Sequence, residues 1–267
     1  MQVRSTEIFS FAGGVLDTGD IERVHDMRVA TRRLRAVLEV YRACFEKQAL
    51  KSALRDVKTL ARALGARRDP DVALQEIEAI AAHLPAIARP GVDAIEDELR
   101  AEQAEGNVTL ERELAVTVDS QLEARLLELA ASATDDGETF GEHARSMIDK
   151  RTTKLSKLGT RAIRSGEMDD LHAVRIGAKR VRYLHEIAEP AFGAGSGRGG
   201  KQARQLQDVL GELHDCDVMS ERIRSRAWSA AISDARYIGY EALASYLDAK
   251  RRVLHRQYVD MWTEMGL

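Results

Sequence analysis

His25-Asp-Met-Arg28-Val29-Ala-Thr-Arg32-Arg33-Leu34-Arg35 is answered later in the chain by His172-Ala-Val-Arg175-Ile176-Gly-Ala-Lys179-Arg180-Val181-Arg182. A histidine followed by basic residues at the same spacings recurs once, 147 residues on. At about 100° per residue on a helix, His25, Arg28, Arg32 and Arg35 fall within one sector roughly 80° wide. Val24, Met27, Ala30, Leu34, Val37, Leu38 and Tyr41 fall on the other side. The segment therefore predicts an amphipathic helix that buries one face and displays a cationic stripe on the other.

The correspondence continues beyond these helices. Leu64-Gly65-x-x-x-Asp69-x-Asp71-Val72 matches Leu210-Gly211-x-x-x-Asp215-x-Asp217-Val218 at an offset of 146, and Gly19 and Gly166 share the offset of 147. So long a period, seen twice, predicts a duplicated helical bundle rather than a solenoid, which stacks about three or more units of 20 to 50 residues. The expected halves are residues 1–134 and 138–267, divided at Thr134-Asp-Asp-Gly137. Four prolines, 5% aromatic residues and long runs of Ala, Leu, Glu and Arg predict an all-α fold. Asp69-Pro70 predicts a helix start, with the carboxylate as cap, proline at the first helical position and Asp71 in the first turn. The glycine-rich run from Gly193 to Gly200 predicts a flexible, non-helical connection.

Cys44 and Cys216 lie in opposite halves without metal-like spacing and predict buried thiols. No apolar run reaches membrane-spanning length and the N-terminus lacks the order of a signal peptide, so the expectation is a cytoplasmic protein without membrane partners. The net charge of −3 conceals a partition along the chain. Residues 20–68 carry 13 basic and 6 acidic side chains, residues 140–185 carry 11 and 5, and residues 71–139 carry 4 and 17. Such segregation predicts a focused positive surface.

The basic segments are patterned. Lys51, Arg55, Lys58 and Arg62 form one stripe at helical spacing; Lys150, Lys154, Lys157, Arg161 and Arg164 form another. Like charges a turn apart repel by a few tenths of a kcal/mol per pair, so such helices call for counter-charge. It could come from an anionic ligand, or from the acids between Asp71 and Thr139 in a self-neutralised scaffold. No Walker loop, nucleophile elbow or CxxC pair is present, which argues against an enzyme. Phosphoryl transfer through a phosphohistidine at His25 or His172 is the catalytic alternative, although no metal-holding carboxylate sits on either stripe. Sequence-blind nucleic-acid binding is the alternative among binders, but the basic helices offer only Tyr41 and Tyr183 for base stacking. A metal site from His214, Asp215 and Asp217 is disfavoured because the matching Asp69 and Asp71 lack the histidine. No metal or cofactor is expected, and His83, His143, His185 and His255 suggest no role.

The paired histidine helices, the Lys150 to Arg164 stripe and the Leu-Gly-x-x-x-Asp-x-Asp-Val segments together resemble the CHAD family, the conserved histidine α-helical domain, over almost the whole chain. The resemblance implies a single domain over residues 1–267, with two pseudo-twofold-related bundles whose basic helices face a shared groove or pore. It also implies non-catalytic binding of inorganic polyphosphate, with polyphosphate granules or a polyphosphate-processing enzyme as further associations. The triphosphate-processing domain that often accompanies such domains is marked by Glu-x-Glu-x-Lys; here Glu76-Ile-Glu78-Ala-Ile80 puts isoleucine at the lysine position. Carried over by position, the ligand contacts would be His25, Arg28, Arg32, Arg33 and Arg35, with His172, Arg175, Lys179, Arg180 and Arg182. Lys51, Arg55, Lys58, Arg62, Lys150, Lys154, Lys157 and Arg161 would add charge. Arg33 and Arg180 lie about 80° from their histidines on the helical wheel, so helix ends or neighbouring acids compete for them.

Overall fold

The computed structural model of the chain describes residues 2–134, 137, 140–192 and 197–266. Among them are nine α-helices and no strand: α1 (Gln2–Ser10), α2 (Ile21–Val40), α3 (Lys47–Ala81), α4 (Arg89–Asp119), α5 (Leu122–Ala131), α6 (Phe140–Ser165), α7 (Met168–Phe192), α8 (Gly197–Ser229) and α9 (Tyr237–Met265). None is long and apolar enough to cross a membrane. The chain forms two compact units, one of Met1–Glu76 and Glu96–Gly137, the other of Ile77–Ile95 and Glu138–Leu267. Asp135 and Asp136 of the expected boundary lie outside the described residues. Residues 77–95, which hold the joined ends of α3 and α4, belong to the second unit.

In the first unit α2 buries Val24, Met27, Ala30, Leu34 and Leu38, as its periodicity requires. They meet Ile8 of α1, Val57, Leu60 and Leu64 of α3, Leu110 of α4, and Leu122 and Leu126 of α5 in one core. Glu46 directly precedes α3, and its carboxylate accepts hydrogen bonds from the Gln48 and Ala49 amides at 2.8 and 2.6 Å. Those bonds favour the charged form and hold the Glu46 carboxyl below its ordinary range.

Asp69-Pro70 is not a helix start. Pro70 lies inside α3, and Asp71 is buried in mid-helix. Proline deprives the Ala66 carbonyl of its donor four residues on. Gly106 of α4 lies against that carbonyl so closely that a Cβ there would sit 2.6 Å from the Ala66 oxygen. Tertiary packing thus accommodates a residue that an isolated helix rejects.

In the second unit α6, α7, α8 and α9 pack in succession. Helix α9 returns to α6, where the Tyr258 hydroxyl donates to the Gly159 carbonyl at 3.4 Å. Val174, Ala178, Val181 and Leu184 of α7 and Leu206, Leu210, Leu213 and Cys216 of α8 are buried. Gly239 of α9 meets the tip of α4 backbone to backbone, since a Cβ there would lie 2.3 Å from the Ala88 oxygen and 2.6 Å from the Gly91 Cα. The expected non-helical run from Gly193 to Gly200 is corrected in its second part: Gly197–Gly200 form the first turn of α8, while residues 193–196 lie outside the described residues. The turn fits because bare glycines admit His185 of α7, whose Cβ would be 3.0 Å from a Cβ on Gly200. Of the two thiols expected to be buried, Cys216 is buried, but Cys44 is only half-buried.

Candidate functional site

Each unit carries its own cationic surface. In the first, His25 sits half-buried on α2 beside Arg68 of α3. Burial lowers the His25 pKa, Arg68 and Arg32 lower it further, and Glu22 and Asp26 oppose them. The sign of the linkage follows. As pH falls through the ordinary histidine range, the unfolded chain takes up a proton that the folded imidazole resists. Acidification from about pH 7.5 to about pH 5.5 should therefore cost the wild type more stability than His25→Gln in paired urea titrations; equal losses would show that His25 is not held neutral.

Around it, Arg28 pairs with Asp69 at 3.1 Å, Arg33 with Glu7 at 3.3 Å and Arg35 with Glu39 at 2.8 Å. On α3, Lys51, Arg55, Lys58 and Arg62 are exposed. Arg55 reaches Asp56 at 3.0 Å, and Arg125 of α5 holds the same carboxylate at 2.8 Å.

Beneath this surface lies a polar network. Arg67 is fully buried; its Nη1 donates to Asp71 Oδ1 at 2.5 Å and its Nε to Asn107 Oδ1 at 3.1 Å. Gln103 Nε2 donates to the same Asp71 oxygen at 2.6 Å, and Asn107 Nδ2 to the Leu16 carbonyl at 2.9 Å. Asp71, expected in the first turn of a helix, instead joins α3 to α4 from mid-helix. The matching Asp217 is also mid-helix, but its partner is Arg251 of α9, at 2.5 Å, and Leu213 stands where the register would place a second Arg67. The i,i+4 pairing of Arg67 with Asp71 could have been noticed in the sequence; its burial could not.

In the second unit α7 presents His172, Arg175, Lys179 and Arg182, with Arg180 more exposed. Arg182 pairs with Glu186 at 2.7 Å and lies 5.6 Å from the Tyr183 ring centroid. On α6, Lys150, Lys154, Lys157, Arg161 and Arg164 are all exposed. Arg161 is answered by Asp170 at 2.8 Å. The Ser165 hydroxyl donates to Asp170 at 2.7 Å and, ahead of Arg161, holds its carboxyl below the ordinary range. Among the described residues, Lys51, Lys58, Lys150, Lys154 and Lys157 have no carboxylate at ion-pair distance. Glu7, Glu39, Asp56, Asp69, Asp170 and Glu186 are carboxylate partners of the stripes.

His214 of α8 lies against His172, with ring centroids 4.9 Å apart and planes tilted by 55°. In register His214 is the counterpart of Arg68, so each histidine has a basic neighbour from the next helix in sequence. Neither neighbour stood among the sequence-predicted contacts; both directly precede Asp69 and Asp215, the one signal available. Asp217 is engaged by Arg251, and no group of three His, Cys, Asp or Glu side chains among the described residues could hold a metal ion.

The CHAD domain matches residues 7–224. Uncharacterized proteins from two strains of Mycobacterium tuberculosis are 27% identical over 224 residues, covering 78% of this chain and 41% of theirs. The chain thus spans about two fifths of the length of the curated relatives it matches. PptA from Streptomyces chartreusis shares the fold at a TM-score of 0.73 with 14% identity, over 98% of this chain and 96% of that one. The CHAD domain from the plant Ricinus communis does so at 0.69 with 24% identity, over 94% and 88%.

Proposed function

The chain belongs to the CHAD family, and on that premise we propose that it binds inorganic polyphosphate without acting on it chemically. The observation that carries the reading is the row Lys150, Lys154 and Lys157, solvent-facing and without carboxylates among the described residues. A folded protein gains nothing from such a row by itself. A polymer with roughly one charge per phosphate and no bases must be held by charge and spacing. Lysines supply point charges, and arginines supply planar forks that grip two oxygens at once. The ion pairs on the stripes are partly exposed, and pairs in contact with solvent are worth about 0–1 kcal/mol each, so phosphate oxygens can compete with the carboxylates. His25, Arg28, Arg32, Arg33 and Arg35 on α2 and His172, Arg175, Lys179, Arg180 and Arg182 on α7 are the proposed contacts. Lys51, Arg55, Lys58, Arg62 and Arg161 add to the attraction.

The test is a titration with long-chain polyphosphate at about 0.15 M salt, with single-stranded DNA and orthophosphate alongside. The expected result is tight polyphosphate binding that survives excess DNA, with the polymer's length unchanged after incubation. Equal affinity for both polyanions would overturn the reading in favour of nucleic acid. Shortened polymer would make the protein an enzyme.

A further inference from the structure

We propose that Arg68 is a phosphate-binding residue of the first unit, and that with His25 it forms a seat beside the α2 stripe for one phosphate group of the polymer. This inference rests on the polyphosphate reading above. Arg67 and Arg68 are neighbours in α3 and both are buried, yet they are used differently. Arg67 turns its guanidinium to the protein: Nη1 donates to Asp71 Oδ1 at 2.5 Å and Nε to Asn107 Oδ1 at 3.1 Å. Arg68 does not. Its Nε and Nη1 are buried without a hydrogen-bond acceptor, and Oδ2 of Asp71, its carboxylate neighbour, lies 4.0 Å away.

One carboxylate thus stands between two buried cations. Asp71 is already engaged by Arg67 and by Gln103, the latter at 2.6 Å, so its charge is answered before Arg68 is counted. A guanidinium taken out of water loses more than a carboxylate beyond hydrogen-bond distance returns. Buried donors in a native protein are nearly always matched, and a charged group with two of them unmatched calls for an acceptor from outside the chain.

The surroundings of Arg68 suit an anion. Its charge acts on His25 of α2, as does that of Arg32. The acids whose charge reaches His25 are Glu22 and Asp26, both exposed, and Asp69, next to Arg68 in the chain, is held by Arg28 at 3.1 Å. A phosphate oxygen between the imidazole and the guanidinium would accept an N–H from each and supply the missing counter-charge. The side chain of Arg68 keeps 9% exposure, which leaves it an approach from solvent, while the rest lies where a charge-assisted hydrogen bond is stronger than on the open stripes. The exposed lysines of α3 attract the polymer; Arg68 grips it.

The experiment measures long-chain polyphosphate affinity and ligand-free thermal melting for the full chain as wild type, Arg68→Met and Arg68→Lys. Arg68→Met should bind about ten- to a hundredfold more weakly, the worth of one charge-assisted contact. Its ligand-free melting temperature should stay within about 2 °C of wild type or rise, because Asp71 keeps Arg67 and Gln103. Arg68→Lys retains the charge without the planar fork and should fall between the two in affinity. A purely structural arginine would give the reverse, a lower melting temperature with wild-type affinity in the folded protein. For Arg68→Met, or for Arg68→Lys should the first not fold, unchanged affinity or a melting temperature lowered by more than about 5 °C overturns the proposal. Failure of both variants to fold makes Arg68 structural and overturns it as well. Absence of wild-type binding overturns the polyphosphate reading itself, whereas wild-type binding that neither substitution weakens removes only the role of Arg68.

Discussion

Replacing Lys150, Lys154 and Lys157 together by glutamine should weaken polyphosphate binding about a hundredfold or more while leaving the melting temperature unchanged or slightly higher. Each lysine is exposed and has no carboxylate at ion-pair distance among the described residues, so its removal strands no internal partner. Its removal also relieves repulsion between charges one turn apart, by a few tenths of a kcal/mol. A charge-assisted contact to phosphate is worth about 1 kcal/mol or more, and three together reach about two decades in affinity. The salt dependence should change in step. Each neutralised phosphate contributes about 0.7 to 0.9 to the slope of log affinity against log salt, so the triple variant should lose roughly 2 to 3 from it. Titrations at two salt concentrations and a thermal melt read both quantities. A lower melting temperature with unchanged affinity would identify the stripe as part of a self-neutralised scaffold.

The opposite pattern is expected at Arg67. Substituting Arg67→Met leaves the Asp71 carboxylate buried without its guanidinium, and breaking a buried pair from one side costs about 3–5 kcal/mol. For a unit of this size that corresponds to a fall of roughly 10–20 °C in melting temperature. Asp71→Leu should cost a similar amount. The double variant should recover part of the loss, because Arg67 and Asp71 leave together, although the buried Arg68 loses the Asp71 carboxylate at 4.0 Å, and Gln103 and Asn107 each lose a partner at about 1–3 kcal/mol. A double-mutant cycle by thermal unfolding measures the coupling. Single variants that melt within a degree or two of wild type would show that the network does not hold α3 to α4.

These two variants separate what was legible in the sequence from what was not. The all-α class, the buried face of α2 and the basic stripes were written in residue periodicity, which reports the local 3.6-residue geometry of a helix and needs no knowledge of neighbours, while the family was legible only as a resemblance carried by the repeated motifs. The exposed lysines of α6 belong to the same kind of information.

Asp69-Pro70 misled because proline at a helix start and proline in a helix interior look alike in one dimension. The difference lies in Gly106, on another helix, covering the carbonyl that Pro70 leaves without its donor. The glycines from Gly197 to Gly200 misled for the same reason, since His185 occupies the space their missing side chains provide. Arg68 and His214 could be aligned by register, but only packing shows that each lies beside a histidine. The residues by themselves determined helices, faces and the sign of the charge on them. Which carboxylate answers which arginine, and which side chain stands next to His25 and His172, was decided by tertiary structure. Those contacts join residues distant in sequence, and their energies depend on the burial that packing alone creates.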